Sequence, residues 1–247
     1  WEDILEPDEG DVLMEGSLHF GDMTRLESIF RNHLKDKGNF RVFCDMKIIW
    51  GIKGLPNPAP DISIFENVKD PDRPRSSFSV REEGVKPFLV LEVVSPRYRW
   101  ADINEKPEIY RKAGVSEYII VDPGLKKNRI SYTVSGYRLI GNRYVKMTPD
   151  PEGGIRSMTT GVRINVSESG DRLILTDTRT GKLLLSDEEQ AEAEKARADA
   201  ENARAEQEKA RAEQENARAE QEKARAETAE AELRRLRAEL LRLKERA

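Results

Sequence analysis

The chain has 247 residues with 42 Lys and Arg against 46 Asp and Glu, two His and one Cys. Up to Ser186 the charges balance at 28 of each sign, while Asp187 to Ala247 carries 14 basic and 18 acidic residues, so the net charge of −4 belongs to the tail. A neutral first part argues against duplex binding driven by bulk basicity. The single Cys44 excludes an internal disulfide and a multi-cysteine zinc site. No stretch reaches the ~20 apolar residues of a membrane span, and no signal-peptide pattern is present.

Met23, Leu26, Ile29, Phe30 and Leu34 recur at helical spacing, predicting a helix over 22–37 that Gly38 stops and that the turn-like Gly21-Asp22 precedes. Residues 41–50 alternate and read as one strand with Val42, Cys44, Met46, Ile48 and Trp50 on one face. After Pro56, Pro58 and Pro60 comes a short strand over 61–65. Residues 66–86 are charged and rich in Pro and Gly, which predicts a long exposed loop. The run 87–94 (PFLVLEVV) is apolar on both faces, as a central strand covered on both sides requires. A helix over about 103–113, closed by Gly114, and a strand over 117–122 complete a crossover unit. Asp122-Pro123-Gly124 reads as a turn into a meander over 129–147, followed by a strand at 161–166 and a hairpin around Thr180-Gly181. The expected class is α/β with an antiparallel extension.

From Ser186 onward there is no Gly, Pro or aromatic residue, and seven-residue units repeat from Ala196 to Lys244. Leu233, Leu236, Leu240 and Leu243 have the spacing of a coiled-coil seam. The same register places Glu208, Glu215 and Glu222 at core positions, where a solvated single helix is the competing reading. The expected organisation is therefore a domain over 1–186 and a helical tail over 187–247, with homo-oligomerisation through the leucine-bearing end. At ~1.5 Å per residue that helix would reach on the order of 90 Å.

Asp61 and Glu92 both sit on segments that read as buried. An unpaired buried carboxylate costs several kcal/mol or more, so each needs a cation, a proton or donors. Strand alternation puts Glu92 on the face of Val90 and Val94, so the strand itself offers no cation there. Lys106, in the first turn of the following helix, emerges beside the C-terminal end of that strand, where open α/β sheets place their ligand sites. Two acids and a lysine suit a hard divalent cation and an activated water. Asp102 and Glu105 read as a capping box at the helix entry. Glu27 and His19 are weaker candidates. Arg97-Tyr98-Arg99-Trp100 could contact phosphates and stack on bases, or could be a loop whose Trp100 packs under the helix.

Taken in order, PDISIF (60–65), LEVVSP (91–96), Asp102-x-x-x-Lys106, Tyr110 and GVSEYIIVDP (114–123) resemble the Uma-type restriction-endonuclease family of the PD-(D/E)XK nuclease superfamily. The resemblance spans about residues 15–185 and excludes the tail. It implies a restriction-endonuclease-like core, a mixed central sheet flanked by helices. It implies Mg²⁺ or Mn²⁺ on Asp61 and Glu92 with help from a main-chain carbonyl near Val93. Lys106 would orient the water or stabilise charge, and the substrate would be nucleic acid, DNA in the first place. Apart from the resemblance, the lack of a span or signal pattern predicts a cytoplasmic protein. The chain departs from that pattern at Arg97–Trp100, where small hydroxyl residues are usual, at Pro107 directly after the lysine, and at Ile119, where an aromatic is usual. The competing reading is an adaptor that keeps the nuclease fold as a scaffold while the tail drives assembly.

Overall fold

In the computed structural model, which describes residues 9–126 and 129–244, the first helix, α1 (Glu9–Leu34), starts well before the expected position and runs through Gly16 and Gly21. No turn forms at Gly21-Asp22. A helical glycine costs only about 1 kcal/mol, and burial of Met23, Leu26, Ile29, Phe30 and Leu34 on one face outweighs it. The expected single strand over 41–50 is two, β1 (Phe40–Cys44) and β2 (Ile48–Ile49). Asp45 breaks it with a left-handed backbone, φ 48°, a conformation that Asp tolerates better than most residues.

Next come β3 (Ile62–Glu66), β4 (Phe78–Ser79) and a short helix α2 (Val80–Glu83). The segment 66–86 is thus not simply an exposed loop. Val68 and Phe78 are buried in it, and Glu83 accepts from Arg73 at 2.6 Å and Arg75 at 2.9 Å. Its charges fold it by pairing with one another.

The crossover unit is β5 (Leu89–Val93), a π-helical turn over Ala101–Glu105, α3 (Lys106–Ala113) and β6 (Glu117–Lys126). The π-turn closes on a hydrogen bond from the Lys106 N–H to the Ala101 carbonyl. Pro107, the next residue, has no N–H to give. β6 continues straight through Asp122-Pro123-Gly124 instead of turning there. It pairs along its length with β7 (Arg129–Ile140), which is one strand where two were expected. Gly136 lets β7 pass without a break, because a Cβ there would stand 3.0 Å from both the Tyr118 carbonyl oxygen and Met147 Sδ. β8 (Arg143–Lys146), β9 (Ile155–Arg156), β10 (Val162–Val166) and β11 (Leu173–Asp177) follow. The expected hairpin after β11 is reduced to one bridge, Thr176 to Leu183.

The main sheet has the order β1-β3-β5-β6-β7-β8. It is mixed: β5 and β6 are parallel and the remaining neighbours antiparallel. Alternation along the central strands sorts two cores. Leu89, Leu91, Val93, Ile119 and Val121 face α1 and the β9–β11 sheet, while Val90, Val94, Tyr118 and Ile120 face Tyr110 and Ala113 of α3. The protein is an α/β fold with a mixed central sheet, flanking helices and a long C-terminal helix.

The final helix, α4, spans Asp187–Lys244. By contacts the chain forms two units, one up to Glu189 and one from Gln190. The first turn of α4 is tied into the former. Ser186 and Glu189 form a reciprocal capping box, with the Ser186 N–H donating to Glu189 at 2.9 Å and the Glu189 N–H to Ser186 Oγ at 3.2 Å. Arg25 donates to Glu189 at 2.9 Å, and Asn32 to Asp187 at 2.7 Å. A truncation must therefore spare this turn. Deleting 190–247 is expected to leave the melting temperature of the first unit nearly unchanged. Deleting 188–247 removes Glu189, which costs about 1–2 kcal/mol and, in a domain of this size, lowers the melting temperature by about 2–8 °C. Thermal melts of the two truncations check this.

Candidate active site

Strand pairing brings the two acids together. Ile62 of β3 lies opposite Leu91 of β5, so the residue before Ile62 and the residue after Leu91 are neighbours. Those residues are Asp61 and Glu92. Asp61 Oδ2 accepts the Val93 N–H at 2.7 Å, and the Asp61 N–H points to Glu92 Oε2 at 3.4 Å. Both carboxylates are buried.

Lys106 reaches them from α3. Its Nζ lies 2.9 Å from Glu92 Oε1 and 2.6 Å from Asp102 Oδ1. Tyr110, one turn further along α3, donates its hydroxyl to the same Glu92 Oε1 at 2.6 Å. Pro107 does not swing the lysine away; the π-turn ahead of it keeps Lys106 over the strand end. Asp102 does not cap the helix. It is buried, its carboxylate faces Lys106, and no side chain caps the helix entry. Tyr118 fixes this turn from below by donating to the Asp102 carbonyl at 2.7 Å.

His19 is the residue that sequence reasoning undervalued. It stands on α1, with Nε2 3.4 Å from Asp61 Oδ1. The assumed turn at Gly21-Asp22 had removed it from the helix that places it. Glu27, by contrast, pairs with Arg31 at 2.8 Å.

The cluster holds three buried carboxylates, Asp61, Glu92 and Asp102, against one ammonium and one imidazole. Burial is the main cause that pushes Glu92 up to about 8; Lys106 opposes the shift and Asp61 adds to it. Asp102 is raised as well, again by burial first. Burial pulls Lys106 down, but Glu92 and Asp102 outweigh it and leave the ammonium above its ordinary value. The hydrogen bond to Asp61 lifts His19.

These shifts set a pH dependence. Between its unfolded value of 4.5 and its folded value of about 8, Glu92 holds a proton in the folded state that it lacks in the unfolded one. Folding binds a proton in that window, so raising the pH destabilises the metal-free protein. His19, raised from 6.5, acts in the same sense. Chelator-treated protein is expected to lose melting temperature from pH 5 to pH 8 (roughly, the Glu92 window), and Glu92→Gln is expected to flatten that slope.

The donor set fits a hard divalent cation. Among the described residues Asp61 Oδ1 meets only His19, and Glu92 Oε2 only the distant Asp61 N–H, so each acid keeps one lightly used oxygen. The negative excess is what a doubly charged ion would neutralise. No group of three His, Cys, Asp or Glu among the described residues could enclose a metal. Mg²⁺ is commonly held by one or two carboxylates and keeps several waters.

A family profile described as "Putative restriction endonuclease" matches residues 5–167. The chain belongs to the Uma2 family. The Uma2 match covers α1, the acid-bearing strands β3 and β5, and α3, and ends before α4. Among solved structures, the chain is similar to one from Anabaena variabilis ATCC 29413 described as a "putative nuclease belonging to DUF820". The identity is 16%, over 63% of this chain and 76% of that one, with a TM-score of 0.41. No curated protein matches the sequence. Among the described residues no helix is long and apolar enough to cross a membrane.

Proposed function

We propose that this Uma2 protein is a divalent-metal-dependent endonuclease that hydrolyses phosphodiester bonds in nucleic acid, DNA in the first place. The observation that carries the reading is the burial of Asp61 and Glu92 side by side with Lys106 2.9 Å from Glu92. Three buried carboxylates, Asp61, Glu92 and Asp102, stand against a single ammonium that contacts two of them, an excess of acid that a scaffold does not require.

Asp61 and Glu92 would hold Mg²⁺ or Mn²⁺, which when bound supplies positive charge to a phosphoryl oxygen and lowers the pKa of a bound water. The Val93 N–H and His19 orient Asp61, leaving its carboxylate aimed at the strand end. Tyr110 and Lys106 hold Glu92 by one oxygen and leave the other with only the distant Asp61 N–H. Lys106 stays protonated among these acids and favours negative charge developing on phosphate. Incubation with single- and double-stranded DNA and RNA, with Mn²⁺ or with chelator, tests the reading. Cleavage that requires the metal supports it; no cleavage of any of the four under Mn²⁺ refutes it.

A further inference from the structure

Between β5 and α3 the structure exposes two aromatic rings. Tyr98 is 56% and Trp100 66% exposed. Trp100 does not pack under the helix. The rings are not on a loose loop. The Tyr98 N–H donates to the Ser95 carbonyl at 3.1 Å, and the Asp102 N–H to the Tyr98 carbonyl at 3.0 Å. Asn104 donates to the Trp100 carbonyl at 3.0 Å, and Arg99 is anchored on Asp122. Arg97 lies over the Tyr98 ring, 5.4 Å from its centre. Trp100 is two residues from Asp102, at most ~7 Å of backbone, and Asp102 touches Lys106.

We infer that Tyr98, with Arg97 over its ring, and Trp100, two residues on, are the separate exposed faces of a stacking platform for unpaired bases, so that the substrate is single-stranded nucleic acid or the unpaired part of a duplex. This rests on the nuclease reading for the class of ligand. A paired duplex hides its base faces and is gripped by phosphate contacts. The domain is charge-balanced, and many of its arginines are engaged internally, Arg73 and Arg75 on Glu83, Arg138 on Glu117 and Arg163 on Asp150. Aromatic faces with one adjacent cation instead suit single strands, whose bases stack without sequence preference.

The test is equilibrium binding of the full chain to a fluorescently labelled oligonucleotide of about 16 nucleotides, single-stranded or annealed, in chelator so that nothing is cleaved. The single strand is expected to bind at least about 10-fold more tightly than the duplex. Tyr98→Ala and Trp100→Ala are each expected to weaken single-strand binding about 10-fold, and Trp100→Phe to retain most of it. Because binding is read without metal, a protein that stacks single strands but fails to cleave under Mn²⁺ refutes the nuclease reading and supports this one. Single-strand affinity unchanged in both alanine variants overturns the platform. Such a result accompanied by a changed oligomeric state assigns the rings to a protein contact instead.

Discussion

Replacing Lys106 with alanine is expected to lower metal-dependent cleavage by at least ~10²-fold, the scale for losing one charge-stabilising donor, while metal binding persists. Lys106 lies 2.9 Å from Glu92 and 2.6 Å from Asp102 but is no metal ligand, so its loss leaves both proposed ligands in place. Without the ammonium, Glu92 and Asp102 are held up still further by burial, so the metal-free variant depends more on pH than the parent protein. Lys106→Arg is expected to recover little activity, because a planar guanidinium cannot occupy one point between two carboxylates. Single-turnover cleavage in Mn²⁺ reads the first effect and calorimetry the second. Full activity in the alanine variant would remove Lys106 from the mechanism.

The second large effect concerns the acids. Asp61→Asn and Glu92→Gln are each expected to abolish divalent-cation binding and cleavage, with thermal stability in chelator equal to or above that of the parent. The amides keep the useful contacts: an Asn oxygen can still accept the Val93 N–H, and a Gln oxygen the Tyr110 hydroxyl. They remove the carboxylate repulsion that helps to raise Glu92. Alanine is a poorer test. Glu92→Ala would leave the buried Tyr110 hydroxyl without its acceptor, at about 1–3 kcal/mol. Asp61→Ala would orphan the Val93 N–H, at about 1–3 kcal/mol. Amide variants that unfold would mean that the acids are structural.

What could be read from the sequence was what strand alternation and apolar runs dictate. Glu92 stood out because its neighbours on both faces are apolar, and Lys106 because Val94 left the strand without a cation. His19 was hidden by a local signal: Gly21-Asp22 looks like a turn, and only burial of the face from Met23 to Leu34 carries the helix through it. Asp102 was hidden by a plausible alternative, since its spacing to Glu105 imitates a capping box. Instead, a π-turn directly ahead of Pro107 gives Asp102 to Lys106, and periodicity does not reveal it. The actual capping box, Ser186 with Glu189, lies ahead of the heptads that begin at Ala196, so their periodicity does not reveal it. The inner structure of 66–86 was missed for another reason. Its charge density is that of a solvated loop, whereas Arg73 and Arg75 pair with Glu83 and let Val68 and Phe78 be buried.

The most direct measurement is a calorimetric titration of Mn²⁺ into the parent protein and Glu92→Gln near neutral pH, repeated in buffers of different ionisation enthalpy. Glu92, pushed up to about 8, is largely protonated there without metal and must ionise to act as a ligand. Binding to the parent protein is therefore predicted to release close to one proton, and Glu92→Gln to show no binding. Mn²⁺ binding that releases no proton and survives in Glu92→Gln would contradict a metal site built on Asp61 and Glu92.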